Sequence, residues 1–334
     1  MNKKIVTTLI IATLVMSTTV VLGWGVWGHN HINKGAVLNL PAEMGMFFYN
    51  HTDFIVEESV VPDIRKYAMG DKAEWPRHYI DLENYNYAGR AGMPRTTDEA
   101  MSRFPKDSLD RWGTLPWSIQ EMMAKLTDAM KKKRKTEILL MAADLGHYIA
   151  DAHMPLHTTI NHNGQFTGQV GIHAFWESQL PEMFGKSYHL YTGGAHYIDN
   201  IEKATWDMID SSHALVGPLL AIERKMRKDN PEDKQYVMGS DGKVKKNKYG
   251  QMVHTEEYAH VYHELMNGMV EQQMKSAITA IADYWYTAWV NAGKPDFSDL
   301  DPSSVTDRNK AQYKEDMKAW KTGKVKGLRS DREF

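Results

Sequence analysis

The stretch Ile138-Leu139-Leu140-Met141-Ala142-Ala143-Asp144-Leu145-Gly146-His147-Tyr148-Ile149-Ala150-Asp151-Ala152-His153-Met154-Pro155-Leu156-His157 decides the fold. Its apolar residues recur at helical spacing and predict a long, largely buried helix over Glu137–Ala152. Pro155 ends or kinks that helix and turns His157 back toward it. His147 and Asp151 are four residues apart, so both side chains leave one face of the helix, and the apolar flank makes that face partly buried. Similar periodicity runs over Ala36–Tyr49 (interrupted by Pro41), Ile119–Met130, Tyr197–Arg227 and, longest of all, Glu256–Ala292. Strand-like alternation is scarce and no internal repeat is visible. The prediction is a mainly α, single-domain multi-helix bundle.

Between these runs, Arg90–Trp117 is rich in Gly, Pro and charge and reads as loop. Lys228–Gln251 has Asn-Pro, Asp-Gly and many lysines and reads as an exposed loop or small hairpin. From Pro295 the chain is a polar C-terminal tail (295–334), either docked or frayed.

Composition narrows the chemistry. The 334 residues carry 40 Lys and Arg against 42 Asp and Glu, a formal charge of −2. That balance excludes a duplex-DNA binder held by bulk positive charge. There is no cysteine, hence no disulfide, no thiol nucleophile and no thiolate metal site. Any metal must be held by His, Asp and Glu, and the 15 histidines make imidazole plentiful.

The first 23 residues read as a signal peptide rather than as part of the fold. Lys3 and Lys4 precede an uncharged stretch from Ile5 to Leu22, and Val21 and Gly23 are small enough for the −3 and −1 positions of a cleavage site. The expectation is a mature chain starting at Trp24, secreted or periplasmic. The alternative is an uncleaved membrane anchor.

Three clusters carry candidate chemistry: His147 to Asp151 with His157; His173-Ala174-Phe175-Trp176-Glu177, another His and carboxylate four apart; and Pro62-Asp63 followed by His78-Tyr79-Ile80-Asp81. A single His–carboxylate pair is commonly a hydrogen-bonded or surface pair. Two such pairs with His157 between them, and only N and O donors, point to a metal site; zinc accepts this ligand set. A carboxylate can also bridge two ions, which allows a multi-metal site for phosphoryl transfer. His51, His162, His189, His196, His213, His254, His260 and His263 lack a matching carboxylate pattern and read as surface or core histidines.

Trp24-Gly25-Val26-Trp27-Gly28-His29 resembles the mature N-terminus of the zinc-dependent phospholipase C / P-one nuclease superfamily, and the three clusters follow in the family's order. The resemblance implies that superfamily's helical fold over 24–294 and a three-zinc phosphodiesterase. One zinc would be held by Asp63, His78, His147 and Asp151, and a second by His157, His173 and Glu177. The third would be held by the amino nitrogen and carbonyl oxygen of Trp24, His29 and a bridging oxygen of Asp151. An α-amino group, with its pKa near ~8, can be taken by a metal at neutral pH, so processing would create the ligand. The resemblance also implies that Asp63 or Asp81 orients or deprotonates a water. Arg65 or Lys66 would offset charge on the phosphate, their alternative being a solvated helix face.

The substrate remains a choice at this level. The steps of five from Trp24 to His29 and fifteen from Asp63 to His78 resemble the nucleases of single-stranded DNA and RNA. Glu177 as the last ligand and the short gap of sixteen from His157 to His173 resemble the phospholipases C instead. Tyr79, Tyr85, Tyr87, Phe175 and Trp176 would suit either a base or a choline head group. The reading leans to the nuclease, with no stable protein partner implied. A third alternative is a non-catalytic zinc-binding protein of the cell envelope.

Overall fold

The computed structural model describes residues 24–85, 92–300 and 307–323. The expected signal peptide (1–23) and Tyr87 lie outside them. The first half of the chain forms Gly25–Leu38 (α1), Ala42–Asn50 (α2), Thr52–Glu58 (α3), Val61–Tyr67 (α4), Thr97–Arg103 (α5), Lys106–Trp112 (α6), Leu115–Lys131 (α7) and Lys135–Ala152 (α8). After a 3-10 turn at Pro155–Thr158 come Ile172–Ala174 (α9), a π-helical turn at Phe175–Gln179, and Leu180–Phe184 (α10). Then follow Ile201–His213 (α11), Val216–Asp229 (α12), Glu232–Gln235 (α13), Glu256–Leu265 (α14), Met269–Asn291 (α15) and Asp307–Lys321 (α16). Among the described residues the only β-pairing is three isolated bridges. No described helix is long and apolar enough to cross a membrane.

The predicted central helix is α8, and it packs against α1, α3, α7 and α15. Its apolar residues Ile138, Ala142, Leu145 and Ile149 are fully buried. Indole donors tie the neighbours to it: Trp285 Nε1–H donates to Ala142 O (3.1 Å) and Trp24 Nε1–H to Ala150 O (2.6 Å). Gly146 lets α1 come close, since a Cβ there would sit 2.0 Å from Asn33 Oδ1. This approach stacks the His29 ring on His147, centroids 4.0 Å apart.

Several predicted boundaries move, each for a local reason. α1 is a helix that the periodicity does not announce: its stripe contains Gly28, Gly35 and the buried polar residues His29, Asn30 and Asn33. Pro41, extended at φ −65 and ψ 153, opens α2 rather than interrupting a continuous helix. The run Tyr197–Arg227 begins only at Asn200, whose side chain caps α11 through Lys203 N–H (2.8 Å), and it breaks at Ala214 and Leu215. The longest run breaks at Asn267 and Gly268, both with positive φ, into α14 and α15. The expected loop Arg90–Trp117 contains α5, α6 and the start of α7. In the polar tail, α16 docks: Trp320 is buried and its Nε1–H donates to Asn39 Oδ1 (3.0 Å).

Candidate metal centre

The site is built where α1, α4, α8, the segment around His78, the turn at His157 and the α9–π segment meet. Asp63 lies in the first turn of α4, behind Pro62, and is buried. His78 closes a 3-10 turn and is likewise buried. The following residues are clipped to the turn after α8, with Ile80 N–H donating to His157 O (2.8 Å) and His157 Nδ1–H to His78 O (2.7 Å).

Asp151 is the hub. Its Oδ2 lies 3.0 Å from His78 Nδ1 and 3.2 Å from His147 Nε2, and its Oδ1 lies 3.5 Å from His29 Nε2 and 3.6 Å from His157 Nδ1. Asp63 Oδ1 is 3.6 Å from His78 Nδ1. In the second half, Glu177 Oε2 is 3.1 Å from His173 Nε2 and 3.5 Å from His157 Nε2. Ligand atoms of three sets gather within 4.8 Å of one another: His29, His147 and Asp151; Asp63, His78 and His147; and His157, His173 and Glu177.

Backbone carbonyls fix the tautomers. His147 Nδ1–H donates to Ser59 O (2.8 Å), His157 Nδ1–H to His78 O, and His173 Nδ1–H to His162 O (2.9 Å). In a neutral ring that leaves the Nε2 lone pair pointing inward. His157 and His173 therefore present two lone pairs to each other at 3.2 Å, beside the Glu177 carboxylate. Both Glu177 oxygens, Asp151 Oδ1, Asp63 Oδ1 and both His29 nitrogens are buried without a hydrogen-bond partner. Such atoms are costly unless a proton or a cation satisfies them. Inward lone pairs and converging carboxylates are what a divalent cation requires, so the residues fit metal ions.

The titration tendencies express the same conflict. Burial pushes Glu177 up to about 8. Burial pulls His173 down to about 4 and also lowers His29 and His157. Burial acts against the Asp151 carboxylate, yet His147 and His157 hold it well below the usual range. Burial also lowers His147, but Asp151 and Asp63 outweigh it and lift that ring to about 9.

The surroundings hold the remaining candidates, Arg65, Lys66 and Asp81, and add Glu74 and Tyr67, which the sequence did not mark. Glu74 accepts from Tyr148 Oη–H and faces His78 Nε2 at 3.4 Å, turning the other His78 nitrogen inward. Arg65 is engaged behind it, donating to Glu74 Oε2 (3.0 Å) and Asp144 Oδ2 (2.8 Å). Lys66 is buried, with Nζ 4.7 Å from the Tyr67 ring centroid and 5.4 Å from that of Trp75. Among the described residues no carboxylate pairs with Lys66, and its charge depresses His173. Burial raises the Tyr67 phenol, helped by the negative charges of Asp63, Glu177 and Asp151. Burial, with Glu83 beside it, raises Asp81 to about 7.

The aromatic candidates divide. Phe175 and Trp176 are core, Tyr85 donates to Gly113 O (2.6 Å), and Tyr79 donates to Arg111 O (3.1 Å). Trp24 is also fully buried. Its ring lies 5.2 Å from Trp176, and its carbonyl accepts from Gly28 N–H (3.0 Å) at the head of α1. Its neighbours Ala150 and Trp176 directly precede Asp151 and Glu177 in sequence.

A scan against protein families matches the S1/P1 nuclease family over residues 24–294. A search of curated proteins returned no match.

Proposed function

The chain belongs to the S1/P1 nuclease family, which makes it a phosphodiesterase of the nuclease kind, and we propose that it is a secreted three-zinc enzyme cleaving single-stranded DNA and RNA. The observation that carries the reading is the meeting of three buried ligand sets around Asp151. Asp63, His78, His147 and Asp151 would hold one ion, and His157, His173 and Glu177 a second. His29, Asp151 and the backbone nitrogen and oxygen of Trp24 would hold the third. The family match beginning at Trp24 supports cleavage behind Gly23, which frees that nitrogen. Bound zinc polarises a phosphate and makes water a nucleophile at neutral pH.

The chain's own groups do the rest. Lys66, rather than the engaged Arg65, neutralises charge building on the phosphate oxygens. Asp81, raised to about 7, is poised to accept a proton at its carboxylate near neutral pH. Glu74 and the Ser59, His78 and His162 carbonyls hold the imidazoles in their inward tautomers.

Membership in the nuclease family favours nucleic acid over the phospholipid suggested by Glu177 and the short His157–His173 gap. The test is metal analysis of the mature protein alongside hydrolysis of single-stranded DNA and phosphatidylcholine. Three zincs with cleavage of DNA alone is the expected result. Cleavage of the lipid alone, or no bound metal, would overturn the reading.

A further inference from the structure

Between α13 and α14 the chain makes a small finger, residues 236–254. Three extended segments meet there pairwise, through bridges Tyr236–His254, Met238–Val244 and Lys246–Met252. Backbone donors close the triangle: Val237 N–H to Val253 O (2.9 Å), Lys245 N–H to Val237 O (2.8 Å) and Val253 N–H to Lys245 O (3.0 Å). Each segment is bonded to both others, so the finger is small but internally fixed.

Its root is grafted onto the wall of the metal centre. His254 stacks on Phe175, centroids 3.6 Å apart, and its N–H donates to Gln179 Oε1 (3.1 Å). Gln179 Nε2–H donates to Met252 O (2.8 Å). Phe175 and Gln179 bracket Glu177 on the π-turn. Met252 also lies against Gly171, at the end of the loop that begins with the His162 carbonyl supporting His173.

The finger carries Lys243, Lys245, Lys246 and Lys248 against the single carboxylate of Asp241, in a chain that is slightly acidic overall. All four lysines are exposed. Lys243 lies 3.9 Å from Asp241, and no carboxylate pairs with Lys245 or Lys246 among the described residues. Four like charges concentrated on a fixed scaffold repel one another, and a polyanion relieves that cost by releasing its own counterions. The turns Gly239–Gly242 and Asn247–Gly250 place glycine and polar residues at the tips, with Tyr249 half-buried, so the tips offer no apolar wedge to a lipid bilayer and Met238, beside them, is the one large apolar side chain the finger exposes.

We propose that this finger is a docking surface for the sugar–phosphate backbone of a single strand extending beyond the phosphate being cleaved. The proposal rests on the nuclease reading and adds a dependence on substrate length. A short diester reaches only the metal centre, whereas a long strand meets the lysines as well.

The test compares the zinc-loaded mature protein with its Lys243→Gln/Lys245→Gln/Lys246→Gln variant. Two measurements are made: binding of a phosphorothioate oligonucleotide of about thirty nucleotides across a salt series, and hydrolysis of that length of DNA beside bis(p-nitrophenyl) phosphate. The variant should bind the oligonucleotide about tenfold more weakly at low salt. Its log–log salt slope should be smaller by about 2, near 0.7 for each lost phosphate contact. KM for the long strand should rise, while the small diester reports an intact metal centre. Equal affinity and equal salt slope in the two proteins would overturn the proposal. So would lysine-dependent binding to phosphatidylglycerol vesicles with none to the oligonucleotide. If the parent cleaves no nucleic acid yet binds the oligonucleotide through these lysines, the nuclease reading fails and the docking surface stands.

Discussion

His147–Asp151 and His173–Glu177 have the same sequence spacing and opposite structural support. The first pair sits inside α8, an 18-residue helix whose apolar face is locked by α1, α7 and α15. Its orientation is therefore set by the core of the whole domain. The second pair begins in α9, three residues long, after Gly171 at φ +102, and ends on a π-turn. A π-turn is intrinsically poor and persists where its surroundings hold it. Here those surroundings are the ring of His254 on Phe175 and the backbone of Met252 and His254 on the Gln179 side chain, with the His162 carbonyl holding His173 just before the turn. Core packing makes one ligand pair rigid, and docked loops make the other rigid. The two halves of the centre should therefore fail separately.

The largest effect should come from the core-held half. Asp151 serves four imidazoles, so Asp151→Asn removes the charge they share. Breaking a buried ionic arrangement costs ~3–5 kcal/mol. That predicts loss of bound metal and an activity drop of about a hundredfold or more. Asp144→Asn, on the same helix, still leaves Arg65 paired with Glu74 and should do far less. Metal analysis and turnover of the two variants side by side check this; equal losses would show that Asp151 is no hub.

Next in size is the effect expected of the proposed N-terminal ligand. A protein carrying one extra Met before Trp24 has an amide where a chain cleaved behind Gly23, as proposed, would have an amine. An amide nitrogen lacks the basic lone pair, so this variant should hold one zinc fewer by native mass spectrometry. Its activity should drop, with the other ligands untouched. Trp24→Ala with correct cleavage should keep the ion and lose packing against Trp176 instead. Full metal content in the extended protein would remove Trp24 from the site.

A third effect follows pH and tests the segment that joins the halves, since Ile80 beside Asp81 is bonded to His157. Burial raises Asp81 to about 7 from an ordinary 3.8, so it is protonated below neutrality in the folded protein. If its carboxylate accepts the proton, kcat/KM should rise about tenfold per pH unit up to about 7 and then level, and Asp81→Asn should abolish that limb. The stability sign is opposite. A carboxylate with a raised native pKa costs the fold nothing below pH ~4 and most above pH ~7. Asp81→Asn should therefore raise the melting temperature at pH 8 and leave it unchanged at pH 4. A pH profile identical in the variant would exclude Asp81 as the base.

Legibility divides along the same line as the two pairs. α8 and its ligands could be read because one helix carries both the apolar period and the His–carboxylate spacing. α1 could not, because glycines and buried polar side chains replace the apolar stripe where it meets α8. His29 is marked only by the resemblance that the N-terminal segment carries. The sequence offers Arg65 or Lys66 for the phosphate, or a solvated helix face for both, and the structure engages Arg65 in ion pairs to Glu74 and Asp144 while burying Lys66. Nothing local distinguishes the two cations. Tyr67, Glu74 and the Ser59 and His162 carbonyls left no signal, since their roles depend on which distant ring they meet. The π-turn and the closed finger have no periodicity to read, so the loop-held half shows its ligands in sequence and hides what holds them.

The smallest effect sharpens that last point. Gln179→Ala touches no ligand and leaves α8 alone. It removes the donor to Met252 O and the acceptor shared by His254 N–H and ring Nδ1, which lies 3.2 Å away. Losing a buried, partly compensated set of hydrogen bonds costs about 1–3 kcal/mol. Most of that should appear as loosening of the π-turn rather than as global unfolding, because the core is elsewhere. An ion held as proposed by His157, His173 and Glu177 should then leave at severalfold lower chelator concentration, while one held by Asp63, His78, His147 and Asp151 should be released as before. Stepwise chelator titration followed by metal analysis resolves the two. Gln179→Glu is a useful companion, because it keeps an acceptor for His254 but removes the amide donor to Met252 O, and it should loosen the same ion to a smaller degree. If both ions leave together in either variant, the halves are one cooperative unit and the contrast between them is only geometric.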